Sequence, residues 1–300
     1  MSVLVVGSVA LDSVETPYGK VNETIGGSGT YFSAGASYFT DVNVVAVVGE
    51  DFPQKKIVFL KDRRVNFDGL VVKPGKTFRW GGKYDTDINQ RETLFTHLNV
   101  FENFDPVLPD HYKKTPYVFL ANIHPDLQQK VLNQMERPKL VVMDTMNFWI
   151  EGAPDSLRKV LKSIDILIIN DSETKQLADD PNLFTAAQKI QEMGPKTLVI
   201  KKGDHGALMI HNNNYFFAPA FPLPAIQDPT GAGDTFAGGF VGYLAKMNDF
   251  SNKTLRQAII YGSTMASFCV ERFSLDCIRD LTENQIKNRY QQFLSMTKVD

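Results

Sequence analysis

The sequence predicts an α/β fold with a mostly parallel central sheet, helices on both faces of that sheet, and a small β lid. Apolar runs of strand length alternate with helix-length segments along most of the 300 residues, which is typical of such sheets. Two stretches, about 13–25 and 65–100, interrupt the alternation with turn-rich and aromatic segments. Because neither stretch ends at a clean boundary, we expect a single domain over residues 1–300.

The composition narrows the class of protein. The hydrophobic content of 43% is enough for a sizeable core, and the net charge of −2 without a Lys/Arg stripe argues against a nucleic-acid partner. Cys269 and Cys277 lack metal-ligand spacing, which indicates thiols in a reducing compartment. The first residues lack a basic leader, and no apolar run approaches the roughly 20 residues that span a bilayer. We therefore expect a cytoplasmic protein without a membrane partner.

The first quarter of the chain predicts a buried strand over 3–11, with Asp12 just beyond it, where ligands gather in α/β sheets. The single Gly7 does not supply the Gly-x-Gly-x-x-Gly turn of dinucleotide-binding folds. Gly26 and Gly27 precede a predicted helix over 30–39. Adjacent glycines at this place can form a hinge or let the backbone lie against a ligand. The alternative is a plain turn into the helix. A second strand over 42–49 and a helix over 53–64 follow.

Residues 65–100 have a different pattern from the rest of the chain. Alternating, aromatic-rich segments predict antiparallel strands at 67–72, 77–84 and 93–100. With residues 13–25 these strands would form the lid over the main sheet. An exposed lid edge is also a surface through which two copies can pair into a homodimer.

The second half predicts regular α/β alternation. Strands are expected at 118–122, 140–144, 166–170 and 197–201, helices at 125–136, 154–163, 173–179, 184–193 and 254–272, and a hairpin at 207–211 and 215–218. Three strands end in polar residues, at Asp144, Asn170 and Lys201. Polar side chains at the carboxyl ends of parallel strands are where sites are built.

The most informative stretch is Asp228-Pro-Thr-Gly-Ala-Gly-Asp-Thr-Phe-Ala-Gly-Gly-Phe240. Its glycines, Gly231 and Gly233, predict a turn that opens directly into a helix, and such a turn aims unpaired N–H groups at one point. That point suits a phosphate. Asp234 would repel a bound phosphate, but it would serve a site that deprotonates a hydroxyl beside a phosphoryl group. The alternative is that Asp234 only caps the helix.

This stretch resembles the signature of the ribokinase-like (PfkB) family of small-molecule kinases. The resemblance implies the three-layer ribokinase-like fold, with ATP and Mg²⁺ as cofactors. It implies substrate contacts at Asp12, Gly26 and Gly27 and an anion site at Gly231, Ala232 and Gly233. It implies nucleotide contacts at Asn170, Lys201, Gly203, Gly206, Thr230, Gly231 and Gly233. The alternative for Lys201, and for the neighbouring Lys202, is a solvated side chain.

Two metal sites are implied by the same resemblance. Glu173 lies three residues after Asn170, as in the family motif tied to Mg²⁺, and would act through water. The alternative is that Glu173 is a first-turn carboxylate favoured by the helix dipole. Asp228 and Thr230 match positions that hold a monovalent cation such as K⁺ in some members.

The resemblance implies transfer of the ATP γ-phosphoryl group to a hydroxyl of a sugar-like substrate. Asp234 would act as the base, and the N–H groups of Ala232, Gly233 and Asp234 would stabilise the transferred group. Ala10 and Tyr31 replace asparagines that would hold ribose, so a nucleoside stacked on Tyr31 with Phe78 or Trp80 is an alternative acceptor.

Two further alternatives stay open. The first is that these aromatic side chains form only the core of the lid, which would remove the argument for a nucleoside. A regulator that binds nucleotide or sugar without catalysis is the alternative from another class of protein. The retained Asp234, Gly231, Gly233 and Glu173 argue against such a regulator.

Overall fold

A computed structural model describes residues 1–87 and 89–298 of the chain. The strands are β1 (Ser2–Val6), β2 (Ala10–Thr16), β3 (Gly19–Gly26), β4 (Asp41–Gly49), β5 (Val65–Lys73), β6 (Arg79–Tyr84), β7 (Arg91–His97), β8 (Tyr117–Leu120), β9 (Leu140–Asp144), β10 (Ile166–Asn170), β11 (Thr197–Lys201), β12 (Ala207–His211) and β13 (Asn214–Ala218). The predicted strands at 140–144, 166–170, 197–201 and 207–211 are confirmed with these bounds.

The helices are α1 (Ser28–Ala36), α2 (Val58–Asp62), α3 (Pro125–Leu132), α4 (Asn147–Gly152), α5 (Pro154–Leu161), α6 (Asp171–Ala178), α7 (Leu183–Glu192), α8 (Ala232–Met247), α9 (Asn252–Cys269), α10 (Asp276–Arg279) and α11 (Glu283–Thr297). Short 3-10 turns lie at Gln54–Ile57, Asn99–Phe101, Asp110–Tyr112 and Gly203–His205. No helix in the described part of the chain is long and apolar enough to cross a membrane.

The larger sheet separates two hydrophobic cores. Within the described residues it has nine strands in the order β13-β12-β11-β10-β9-β8-β1-β4-β5, parallel from β11 to β5 and antiparallel at β12 and β13. Along β1, Val3 and Val5 face one core while Leu4 and Val6 face the other. Burial on both faces explains why these strands are uninterrupted apolar runs, and it confirms the three-layer α/β fold.

The small sheet forms the lid and has the order β3-β2-β6-β7. Its central pair, β2 and β6, is parallel, and its outer pairs are antiparallel. Arg79 ties the sheet together, because its guanidinium contacts Glu23 at 2.6 Å and Asp51 at 2.7 Å. Asp51 lies beyond β4, so this ion pair also joins the lid to the end of the larger sheet.

Two predicted strands are placed differently in the structure. The apolar run 3–11 is not one strand, because β1 ends at Val6 and the chain enters the small sheet at Ala10. Asp12 therefore lies within a lid strand, and it does not follow the end of β1 directly. Residues 65–73, predicted to lie in the lid, form β5, which pairs in parallel with β4 at the edge of the larger sheet.

Helices α1 and α8 approach each other closely because glycine lines their contact. A Cβ on Gly238 of α8 would overlap the carbonyl oxygen of Phe32 in α1, and a Cβ on Gly35 of α1 would lie 2.8 Å from the carbonyl oxygen of Thr235. Neither neighbour is a flexible side-chain end, so neither can move aside cheaply. The helix backbones can therefore lie this close only with glycine at these positions.

We expect Gly238→Ala to lower the free energy of unfolding by about 1–3 kcal/mol, because the added methyl group forces α1 and α8 apart. Chemical denaturation followed by circular dichroism measures this change. Gly152→Ala in α4 is the matched control, since a Cβ there has no neighbour within 4 Å. It should change stability by no more than about 0.5 kcal/mol. An equal loss in both variants would contradict the close-contact argument.

Candidate active site

The loop before α8 is shaped by a glycine and an aspartate. Gly231 has φ +75°, and a side chain there would overlap the ring of Tyr31. The backbone N–H of Thr230 donates to the Asp228 carboxylate at 2.8 Å, which fixes the turn. The N–H of Ala232 donates to Pro229 at 3.3 Å, whereas the N–H groups of Gly233 and Asp234 donate to no acceptor in the described chain. Two N–H groups at the start of α8 are therefore left for a bound group.

Asp234 stands in the first turn of α8 and is partly exposed. No hydrogen bond from the described residues reaches its carboxylate. Burial raises its pKa to about 7, and the nearby Asp144 carboxylate raises it further, while Lys201 and Arg91 act in the opposite direction. A carboxylate with a pKa near neutrality and free lone pairs can accept a proton from a bound molecule.

Lys201 lies at the end of β11 beside the Gly231–Asp234 turn. Its ammonium group contacts both oxygens of Asp144, at 3.1 and 3.3 Å. A Cβ on Gly233 would lie 3.1 Å from Lys201 Nζ, so glycine leaves room for the ammonium group. Burial would lower the Lys201 pKa, but Asp144, Glu173 and Asp234 outweigh it and the pKa is raised. The predicted phosphate contact is thus a charged lysine held in place by an ion pair.

Asp12 is buried and faces the glycine pair that precedes α1. A side chain on Gly26 would overlap the Asp12 carboxylate, and the backbone of Gly27 donates a hydrogen bond to it. Gly27 has φ +92°, and a Cβ there would lie 2.5 Å from the carbonyl oxygen of Ser8. Burial raises the Asp12 pKa to about 7, with smaller contributions from Asp228 and Asp234. Asp12 and Asp234 thus share one electrostatic environment.

Asn170 and Glu173 form a capping box at the start of α6. The Asn170 side chain accepts from the N–H of Glu173 at 2.8 Å, and Glu173 accepts from the N–H of Asn170 at 3.0 Å. Glu173 is therefore a helix-start carboxylate, as the alternative interpretation of the sequence had it. Burial raises the pKa of Glu173, and Lys201 lowers it. Both residues still lie beside the Lys201 and Asp144 pair.

The residues near Glu173 are compatible with Mg²⁺. Among residues 1–87 and 89–298, no group of three or more His, Cys, Asp or Glu residues is arranged to hold a metal ion. Mg²⁺ bound to nucleotide phosphates needs only one or two carboxylates, often through water, and not a protein cage. Glu173 and Asp144 interact electrostatically and keep lone pairs for bound water. This donor set fits a phosphate-bound ion.

The glycine turn after β11 contacts the lid. Gly203 has φ +57° and Gly206 has φ +90°, and a side chain on Gly206 would overlap the carbonyl oxygen of Ala218. A side chain on Gly203 would overlap the amide of Asn89, which also donates to Asp204 at 3.2 Å. The turn between β6 and β7 therefore lies against the turn predicted to hold nucleotide phosphates.

The groups predicted for a monovalent cation have protein partners. Asp228 is 1% exposed and accepts from the N–H groups of Thr230 and Ser274, at 2.8 and 3.2 Å. The thiol of Cys269 contacts the carbonyl oxygen of Thr230 at 3.7 Å. Asp228 and Thr230 thus shape the loop, and the cation site stays a prediction.

Three aromatic side chains were predicted to stack on a nucleobase or sugar. This is wrong for Tyr31, which is 1% exposed and packs its ring beneath Gly231. Phe78 stacks on Phe101 with ring centroids 5.3 Å apart, which makes it part of the packing under the lid. Trp80 is partly exposed. Of the three, it is the one whose ring lies beside a charged group, with the Arg91 guanidinium 5.1 Å from the ring centroid.

Sequence reasoning missed two residues of the lid, Tyr84 and Arg91. Tyr84 receives a hydrogen bond from the Thr230 hydroxyl at 3.3 Å, so it joins the lid to the loop before α8. Arg91 is paired with Tyr84 across β6 and β7, and its charge acts on both Asp12 and Asp234. The sequence signal was weak, because an arginine at the start of an exposed strand looks like any solvated charge.

The comparisons with known proteins show the family of this chain. Residues 1–279 match the pfkB family of carbohydrate kinases, and the chain belongs to that family. It is therefore a phosphotransferase that acts on a hydroxyl group of a sugar or nucleoside.

Individual relatives carry different names. A cytidine kinase from Thermococcus kodakarensis is 26% identical over 80% of this chain and 87% of its own length. A bifunctional ribokinase/ribose-5-phosphate isomerase A from Fructilactobacillus sanfranciscensis is 24% identical over 90% of this chain, and the match spans 52% of that longer protein. A candidate ribokinase II from E. coli, solved with ATP and Mg²⁺, is 19% identical with a TM-score of 0.79, covering 97% of this chain and 99% of its own.

The raised pKa of Asp234 has a consequence for stability. The folded state holds a proton on Asp234 up to about pH 7, whereas the unfolded chain releases it near pH 4. The stability from this group is present below pH 4 and is lost as pH rises through about 7. Asp234→Asn should therefore raise the melting temperature over wild type more at pH 8 than at pH 5. Differential scanning fluorimetry at both values tests this, and an equal effect would contradict the raised pKa.

Proposed function

We propose that this protein transfers the γ-phosphoryl group of ATP to a hydroxyl of a sugar or nucleoside, with Asp234 as the base. One observation carries the proposal. The Asp234 carboxylate has a pKa near 7 and, among residues 1–87 and 89–298, accepts no hydrogen bond; in the same residues the N–H groups of Gly233 and Asp234 have no acceptor, and Lys201 lies nearby. A helix cap alone would not need a titratable carboxylate at an anion site.

The proposed reaction uses each of these groups. The acceptor hydroxyl gives its proton to Asp234 as its oxygen bonds to the γ-phosphorus, and ADP leaves with the electrons of the broken bond. The N–H groups of Gly233 and Asp234 and the Lys201 ammonium group stabilise charge on the phosphoryl oxygens. Mg²⁺, held through water by Glu173 and Asp144, would neutralise charge on the nucleotide phosphates.

The acceptor lies on the Asp12 side of the cleft in this proposal. The buried Asp12 carboxylate accepts hydrogen bonds from substrate hydroxyls, and the side-chain-free surface of Gly26 and Gly27 lets the substrate approach the backbone. The fold-family neighbour that binds ATP and Mg²⁺ supports these cofactors here. A nucleoside acceptor is the second candidate, because the cytidine kinase match spans most of both chains and Trp80 offers a partly exposed ring.

A panel of sugars and nucleosides with ATP and Mg²⁺, followed by ADP release, should reveal at least one acceptor. We expect Asp234→Asn to lower kcat with that acceptor by at least about 10³-fold while changing ATP affinity little, because the base acts only during transfer. Asp155→Asn is the matched control, an exposed aspartate in the first turn of α5. It should retain full activity. If Asp234→Asn kept a tenth of the wild-type turnover, Asp234 would not be the base.

The pKa of Asp234 also predicts the pH dependence of the reaction. Because the base must be ionised, kcat/KM should fall as pH decreases below about 7 and reach a plateau above it. Initial rates between pH 5 and 9 at limiting acceptor concentration measure this profile. Arg91 and Lys201 lower the pKa, so the midpoint should rise in variants that remove either charge. A flat profile from pH 5 to 9 would contradict the assignment.

A further inference from the structure

We propose that Ser8 is a positioning residue for the acceptor, because it replaces the missing cap of α1 and thereby holds the backbone of Gly27 against Asp12. This inference rests on the proposed kinase function and adds a residue to it. Ser8 lies in the short loop 7–9, which carries the chain from β1 of the larger sheet to β2 of the lid. Neither the sequence motifs nor the comparisons assign it a role.

The start of α1 has no capping side chain of its own. Its N-cap residue is Gly27, which has φ +92° and no side chain that could accept from the first N–H groups of the helix. A residue with a capping side chain would be strained at that φ, and its Cβ would lie 2.5 Å from the carbonyl oxygen of Ser8. The first turn of α1 must therefore find acceptors elsewhere in the chain.

Ser8 supplies these acceptors from 20 positions away in the sequence. Its hydroxyl accepts from the N–H of Ser28 at 3.0 Å, and its carbonyl oxygen accepts from the N–H of Gly29 at 2.9 Å. In return, the N–H of Ser8 donates to the Ser28 hydroxyl at 3.2 Å. The next two N–H groups of the helix donate to the carbonyl oxygen of Gly27, each at 3.1 Å. All four N–H groups at the start of α1 are thus paired within the protein.

This arrangement leaves the N–H of Gly27 for the acceptor side, where it donates to the Asp12 carboxylate. Ser8 and Ser28 are each 7% exposed, so little water can replace a lost partner. Without the Ser8 hydroxyl, the buried N–H of Ser28 would have no acceptor, which is costly. Adjacent glycines are the easiest part of the backbone to displace, so we expect Gly27 to move relative to Asp12.

The test is Ser8→Ala, assayed with ATP, Mg²⁺ and an acceptor found in the panel. We expect the acceptor KM to rise about tenfold, because only a fraction of the molecules hold the Gly27 backbone ready for the acceptor. The KM for ATP and kcat should stay within about threefold of wild type, since Asp234 and Lys201 keep their positions. Ser28→Ala is a second variant, which removes the other half of the pair and should raise the same KM.

Ser33→Ala is the matched control. Ser33 is fully buried in the same helix, and its hydroxyl donates to the carbonyl oxygen of Gly29 at 2.6 Å. This variant therefore also removes a buried hydrogen bond of α1, but it leaves the cap from Ser8 in place. It should lower the melting temperature and leave the acceptor KM at the wild-type value. The inference is overturned if Ser33→Ala raises the acceptor KM as much as Ser8→Ala, or if Ser8→Ala does not raise it.

A titration of the protein without substrates gives an independent readout. The Asp12 carboxyl, labelled with ¹³C and assigned by its loss in Asp12→Asn, can be followed by NMR. Because the hydrogen bond from Gly27 lowers the Asp12 pKa, Ser8→Ala should raise the titration midpoint above that of wild type. Ser33→Ala should leave the midpoint unchanged.

The other charged groups that act on Asp12 are the same in all of these variants, namely Asp228, Asp234 and Arg91. A change in the midpoint therefore reports the Gly27 hydrogen bond. An unchanged midpoint in Ser8→Ala overturns the inference. If the wild-type protein phosphorylates no acceptor, the kinase proposal fails separately, and this titration still decides whether Ser8 positions Gly27 against Asp12.

Discussion

The close contact of α1 with α8 is the constraint on which the site depends. Glycines remove side chains from this contact, and Tyr31 of α1 supports Gly231 from beneath. Because α1 begins immediately after Gly27 and α8 begins immediately after Gly231, the contact brings two helix starts together. Asp12 and Asp234, which are 222 positions apart in the sequence, thereby face one cleft. Helix packing therefore brings the two carboxylates close enough for Asp234 to influence the pKa of Asp12.

The same packing buries several carboxylates, which makes their ionised forms costly. Burial raises the pKa values of Asp12, Asp228, Asp234 and Glu173, so each carboxylate is costly to ionise there. Lys201 and Arg91 oppose this cost from the two sides of the cleft. Backbone N–H groups further stabilise Asp228 and Glu173, whereas no hydrogen bond from the part of the chain that the structure describes reaches Asp234. In the proposed reaction, Asp234 is therefore the carboxylate with lone pairs free for a proton.

The sequence predicted the three-layer sheet well, because burial on both faces produces long apolar runs that are visible locally. It could not separate β1 from β2, since Val9, Ala10 and Leu11 are as apolar in the lid as they would be in the main sheet. It placed β5 in the lid because pairing with β4 is a long-range choice. The motif residues at 228–234 were recognisable from glycine spacing. Arg91 and Tyr84 were not, because only tertiary contacts distinguish them.

The split between β1 and β2 has a consequence for how such proteins diversify. Asp12 and Trp80 belong to the small sheet, whereas Asp234 and Lys201 are anchored in the helices and strands of the large one. In the proposed roles, the acceptor contacts of Asp12 and Trp80 and the proton transfer to Asp234 belong to separate layers. Substitutions at Trp80 can change which acceptor is bound while Asp234 and Lys201 keep their positions. A protein built in this way can evolve to bind a new substrate while the residues proposed to carry out the transfer are retained.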